Sequence, residues 1–193
     1  MKGPAPLREL FDDLRDALDT LGVPYAVMGG IAASAWGLPR FTHDIDVAVN
    51  LRASETGPLL RTLEERGYVI PEEFRRGWSD RLAGTRKLAV KRLLGKHVWD
   101  VDVFLAESDF LRSALRRRRL VDLDGRQTPL ITPEDLIVMK LLAWRPKDQG
   151  DIDDLLLVVG ALDEAYLREW AERLAIRDRL DEAWRRAGRA HGG

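Results

Sequence analysis

The chain has 193 residues, a third of them charged, and its 31 Lys and Arg against 32 Asp and Glu leave a net charge of −1. That length suits one sizeable domain, or one domain with a helical appendage, and the charge balance excludes a global basic field for nucleic acid, so any such contact needs a local patch. The absence of cysteine excludes disulfides and thiolate metal sites and fits a reducing compartment.

The N-terminal stretch MKGPAPLRELFDDLRDAL is amphipathic and lacks the continuous apolar core of a signal peptide. No run reaches the roughly 18 apolar residues of a membrane span. The chain therefore reads as soluble and cytoplasmic, with no membrane partner. Leu7, Leu10, Phe11, Leu14, Leu18 and Leu21 form a helical stripe ended by Gly22. Tyr25 to Met28 is a short apolar strand. Gly29-Gly30 breaks it, and Ile31 to Trp36 reads as a short helix closed by Gly37 and Pro39. Asp44 to Asn50 is the second strand, and Ser54 is placed to cap a helix that reaches Arg66 and stops at Gly67. Tyr68 to Ile70, Lys87 to Leu94 and His97 to Leu105 are strand-like, the last two joined by Gly95-Lys96 as a hairpin.

Beyond Phe104 the pattern turns helical. Ser108 opens a helix through Arg118, and Gln127 to Ile131 reads as one more edge strand. Thr132-Pro133-Glu134-Asp135 is a strong helix start, with a cap, a proline and acids in the first turn. That helix runs to about Trp144, Asp148 restarts another through Val159, and the chain stays helical to about Arg189. The expected fold is α/β (α+β): residues 1–131 form a mixed sheet with an N-terminal helix, and residues 132–193 form a C-terminal helical region packed on it.

The stretch FTHDIDVAVN puts Asp44 and Asp46 on one face of an otherwise buried strand, about 6–7 Å apart along it. Like charges so placed repel unless a cation lies between them, and Mg²⁺ prefers oxygen ligands of this kind. VWDVDVFLA repeats the pattern, with Asp100 and Asp102 sharing a face. If the two strands are neighbours, a third carboxylate joins the pair, and three carboxylates can hold two metal ions for in-line phosphoryl chemistry. Gly29-Gly30 precedes them between a strand and a helix, where bare backbone N–H groups can approach a phosphate.

A glycine pair, thirteen residues, Asp-x-Asp and then an aspartate on a later strand resemble the nucleotidyltransferase superfamily whose fold is shared with DNA polymerase β. VMGGIAASAWGLPRFTHDIDVAV matches that family's first motif, including Gly37 and the Arg40–Thr42 segment. The resemblance implies transfer of an NMP from an NTP to a hydroxyl, with Asp44, Asp46 and Asp102 as catalytic metal ligands for Mg²⁺, or Mn²⁺ in its place. It implies nucleotide contacts from Gly29, Gly30, Arg40 and Thr42. Asp102 is favoured over Asp100 because the family places its third aspartate at the head of an apolar strand end, as in Asp102-Val-Phe-Leu. Many members have Gly-Ser where this chain has Gly29-Gly30, so a serine contact to phosphate is missing here.

TPEDLIVMKLLAWRPKDQGDIDDLL resembles later motifs of the AbiEii-like subgroup, best known as toxins of toxin–antitoxin pairs. It implies that Lys140 and Asp148 serve the nucleotide, with Arg145 in the same segment. By itself Asp148 also reads as a helix cap, and Lys140, among Met139, Leu141 and Leu142, needs a partner or a ligand. The expected acceptor is then RNA or protein, with an antitoxin as partner. The alternatives are a small-molecule transferase of the aminoglycoside type and a non-catalytic nucleotide-binding module. Arg112, Arg116 and Arg119 would share a helix face able to grip phosphates, although a charge run is more often a solvated face. Arg75, Arg76, Trp78, Arg81 and Arg86 fall in a long loop where an acceptor could bind. His43 reads as a bystander, and the tryptophans read as core.

Overall fold

The structure, a computed structural model, describes residues 5–38, 42–75, 80–82 and 85–188. Its centre is an eight-stranded mixed sheet with helices on both faces. The strands are β1 (Tyr25–Met28), β2 (Asp44–Val49), β3 (Tyr68–Val69), β4 (Asp80–Leu82), β5 (Thr85–Leu94), β6 (His97–Leu105), β7 (Arg119–Leu123) and β8 (Arg126–Leu130). They run in the order β3-β5-β6-β2-β1-β8-β7, and β4 also pairs with β5. β2 is antiparallel to β1 and parallel to β6, so the strand carrying Asp44 and Asp46 lies in the interior of the sheet.

Alternation assigns the faces. Ile45, Val47 and Val49 of β2 join Val101, Val103 and Leu105 of β6 in one cluster, covered by α1 (Ala5–Thr20) and α3 (Gly57–Glu65). Leu7, Leu10, Phe11, Leu14 and Leu18 of α1 supply that cover, as the spacing of the stripe predicts. Ala48 and Phe104 point the other way, into a second cluster shared with α2 (Gly29–Ala35), α5 (Asp109–Arg117), α6 (Pro133–Ala143), α7 (Pro146–Val158), α8 (Glu164–Arg173) and α9 (Arg177–Arg186). Asp44 and Asp46 are on the Ala48 side, where this helical cover ends.

Helix ends follow the predicted chemistry in several places. The Ser108 hydroxyl accepts from the Leu111 N–H at 3.1 Å, and the Thr132 hydroxyl from the Asp135 N–H at 3.3 Å. α6 ends on Trp144 in the left-handed conformation, φ 52°, and Arg145 alone separates it from Pro146 at the head of α7.

Other expectations are corrected. Ser54 caps no α-helix: it lies in a short 3-10 turn over Ala53–Glu55, and α3 starts at Gly57-Pro58. The 126–130 segment is not an edge. β8 is held between β1 and β7, and β7, hidden in the arginine run, forms the edge. α7 begins at Pro146, two residues before Asp148. The long loop after β3 contains α4 (Glu72–Arg75) and β4, while Arg76 and Trp78 lie outside the described residues. α5 ends at Arg117, so Arg119 sits on β7 and shares no helix face with Arg112 and Arg116. Arg112 is occupied by Asp109 and by the Glu107 carbonyl, both at 2.7 Å.

Candidate active site

Strand pairing fixes the aspartates. The parallel register sets Asp44 opposite Asp100 and Asp46 opposite Asp102, while the antiparallel register sets Met28, the residue before the glycine pair, opposite Asp46. All four carboxylates are on one face, but not in one environment. Asp100 is 56% exposed, with Lys91 at 3.1 Å, and lies toward the open end of β6. Asp102 is 20% exposed and flanks the partly buried Asp46.

The glycine pair is the first two residues of α2 rather than a turn ahead of it. Gly29 has φ 60°, and a Cβ there would lie 2.6 Å from the Asp46 carboxyl carbon. A Cβ on Gly30 would lie 2.6 Å from the Thr42 hydroxyl oxygen. Bare backbone thus lets the start of α2 close on both residues. The Thr42 hydroxyl in turn donates to the Asp44 carboxylate, so its hydrogen is committed to orienting that group. Arg40 lies outside the described residues.

The far wall comes from the joint between α6 and α7. Met28, Gly29, Asp46, Phe104, Leu136, Met139, Lys140, Ala143, Arg145 and Asp148 line one pocket. Lys140 is buried and has partners: its ammonium donates to Asp151 at 2.5 Å and stands 3.6 Å from Asp148. Asp148 also accepts from the Arg145 N–H at 3.3 Å and from its Nε at 2.6 Å, so it caps α7 while facing the pocket. Burial alone would raise the Asp148 pKa, but the Arg145 hydrogen bond and the charge of Lys140 hold it below the usual carboxylate range.

A family model described as nucleotidyltransferase of unknown function (DUF6036) matches residues 5–186. The chain belongs to this family. No curated protein matches it. Among solved structures, ANT(2'')-Ia in complex with adenylyl-2''-tobramycin superposes with a TM-score of 0.55 at 16% identity, over 89% of this chain and 97% of that one. A nucleotidyltransferase structure from Thermotoga maritima gives 0.52 at 16% identity, over 80% and 94%. The lincosamide antibiotic adenylyltransferase LnuA, lincomycin-bound, gives 0.50 at 19% identity, over 77% and 94%. At these identities the likeness is one of fold, and the nucleotidyltransferase fold expected from the sequence is the fold observed.

Within this member of the family, charge balance around the aspartates is uneven. Burial pushes the Asp46 carboxyl up to about 7, helped by the charges of Asp44 and Asp102 and opposed by Lys87 and Lys140. Among the described residues, Asp46 receives no side-chain hydrogen bond or ion pair, whereas Thr42 serves Asp44 and Lys87 serves Asp102 at 2.7 Å. An oxygen-only donor set with one uncompensated carboxylate suits Mg²⁺ or Mn²⁺. Among the described residues, no three acidic or histidine side chains already converge as a metal cage.

Sequence reasoning passed over Lys87, which appears only as the opening residue of a strand. The signal was its place in an alternating strand opposite the one carrying Asp102. Asp151, in the second turn of α7, is the main partner of Lys140. His43 is exposed, with its ring centroid 6.4 Å from that of Trp99. Trp99, Trp170 and Trp184 are buried, while Trp36 and Trp144 are partly so.

Proposed function

We propose that this protein is a divalent-metal-dependent nucleotidyltransferase that moves an NMP group from an NTP to a hydroxyl acceptor. The observation that carries the reading is Asp46: a carboxylate under like-charge stress, flanked in register by Asp102 and set in one pocket with Gly29, Lys140 and Asp148. Asp44, Asp46 and Asp102 would hold Mg²⁺, or Mn²⁺ in its place, and the ions when bound would lower the pKa of the acceptor hydroxyl and neutralise the triphosphate. Gly29 and Gly30 bring bare backbone to the phosphates. Lys140 offers them an ammonium already oriented by Asp151, and Arg145 offers a guanidinium beside it. Asp102 would accept the acceptor's proton.

The acceptor divides two finer readings. A toxin-like enzyme acting on RNA or protein, with an antitoxin partner, is favoured by the Lys140–Arg145–Asp148 segment lying at the pocket. A small-molecule transferase is favoured by the overlap with the antibiotic-bound structures ANT(2'')-Ia and LnuA. The arginine run adds nothing to the RNA reading, because its expected helical face is broken at Arg117.

Label transfer from each α-labelled NTP, with Mg²⁺ or Mn²⁺, to transfer RNA, to protein and to an antibiotic panel tests the function. The Asp44→Asn/Asp46→Asn double variant is the control. Label on one acceptor that vanishes with the variant supports the reading and selects the acceptor class. No binding of any NTP by the wild-type chain would leave only a repurposed fold.

A further inference from the structure

Lys87 is the one basic side chain among the described residues that is ion-paired to a member of the Asp44, Asp46 and Asp102 set. It extends from β5, where it is registered with Phe104, along the strand to the Asp102 carboxylate on β6. Both side chains are mostly shielded, 17% and 20% exposed. Lys91 and Asp100 on the same two strands and the same face serve as an internal comparison. They are 52% and 56% exposed, an ordinary surface pair. Shielding and proximity to Asp46 distinguish the Lys87 pair, and no motif of the sequence calls for a lysine there.

The three carboxylates are balanced unequally. Asp44 takes a hydroxyl hydrogen from Thr42, Asp102 takes an ammonium, and Asp46 takes nothing from the described residues. Lys87 holds the Oδ2 oxygen of Asp102, and an ammonium and a divalent ion on that one oxygen repel, so at Oδ2 the two states exclude each other. The lysine stem is flexible, and the same face is exposed toward the Lys91–Asp100 end, away from the covered Phe104, which leaves the ammonium room to move.

We propose that Lys87 is the resident counter-cation of the Asp102 position, and that a divalent ion reaches Asp102 only by displacing it. This rests on the metal-dependent reading above and deepens it. Asp44 and Asp46 take the first ion, and loading at Asp102 is held back until phosphate charge draws the Lys87 ammonium away. Lys87 is a positioning residue on this account, and it keeps the carboxylate set compact and partly neutral in the absence of nucleotide.

Mn²⁺ titration of the full chain, read by the electron paramagnetic resonance of free Mn²⁺ at fixed neutral pH, tests the proposal without any turnover. Without nucleotide, Lys87→Met is expected to bind Mn²⁺ about tenfold more tightly than wild type, or to reveal a further equivalent. Lys87→Arg keeps the wild-type affinity. In an Asp102→Asn background, Lys87→Met brings no gain, and NTP narrows the difference between wild type and Lys87→Met. Lys87→Gln, checked for an unchanged melting curve, stands in should the methionine variant fold poorly. Unchanged or weaker Mn²⁺ binding in a folded Lys87 variant overturns the proposal, as does a gain that persists with Asp102→Asn. If wild type and variants bind no Mn²⁺ even with NTP, the metal-dependent reading falls and the Lys87 proposal falls with it. If wild type binds Mn²⁺ with NTP and the variants show no gain, only the role of Lys87 falls.

Discussion

Gly29 and Gly22 share a left-handed backbone, φ 60° and 62°, but a Cβ meets nothing within 4 Å at Gly22 and the Asp46 carboxyl at Gly29. Gly22→Ala should therefore cost only the conformational penalty, about 1–2 kcal/mol. Gly29→Ala should cost more in thermal melting and should also abolish NTP binding by calorimetry, because it displaces Asp46. Equal losses for the two variants would remove Asp46 from the explanation. Asp148 supplies the pH test. Its folded pKa lies below the ordinary carboxylate value, so the stability it contributes is complete above about pH 4, the unfolded value, and is lost as pH falls through the folded one. Urea midpoints measured from pH 6 downward should fall more steeply below pH 4 for wild type than for Asp148→Asn. At this scale the acids were legible because Asp-x-Asp in a buried strand has no cheap structural reading. Lys87 was not, because the Gly95-Lys96 turn aligns it with the Asp102 strand but its nearness to Asp46 comes from the pairing of β2 with β6, two strands far apart in the chain.

Among the elements, α6 carries the most information. Nine of its 11 residues, Pro133 to Leu141, are buried, charged ones included, so it cannot be the amphipathic surface helix that its capping chemistry alone suggests. Asp135, fully buried, accepts from the hydroxyls of Thr132 at 2.8 Å and Tyr166 at 2.5 Å, with the Arg117 guanidinium 3.7 Å away. Asp135→Ala removes one partner from this buried set and should cost about 3 kcal/mol or more in chemical denaturation. Ser108→Ala, which removes only the cap of α5, should cost about 1 kcal/mol. Similar losses for the two would mean that the Asp135 network contributes nothing beyond a helix cap. Caps, turn glycines and alternation made most element boundaries readable. β7 escaped because an arginine run masks its β pattern, and β4 because three residues carry too little periodicity to register.

For the molecule as a whole, the pocket joins two regions that are separate in sequence, the β1, β2 and β6 strands and the α6–α7 joint. A ligand held by both is linked to the folding of both. At a hundredfold excess over its dissociation constant, an NTP should add about 2.7 kcal/mol to stability. That corresponds to a rise of roughly 5–10 °C in melting temperature for a chain of this size, and Lys140→Ala should erase it. A rise that survives in the variant would place the ligand elsewhere. The stripe of α7 that begins with Asp148 and Asp151 continues as Ile152 and Leu155, both fully buried, on the same helical face. The polar head of that helix cannot be re-aimed without uprooting its apolar tail, so this wall is closed to evolutionary tinkering. The opposite margin of the sheet is free of that bond: Val69, Leu93 and Val98 are each about 60% exposed on the strands beyond Asp102. A saturation library scored by thermal melting should find the α7 stripe frozen and those three positions permissive.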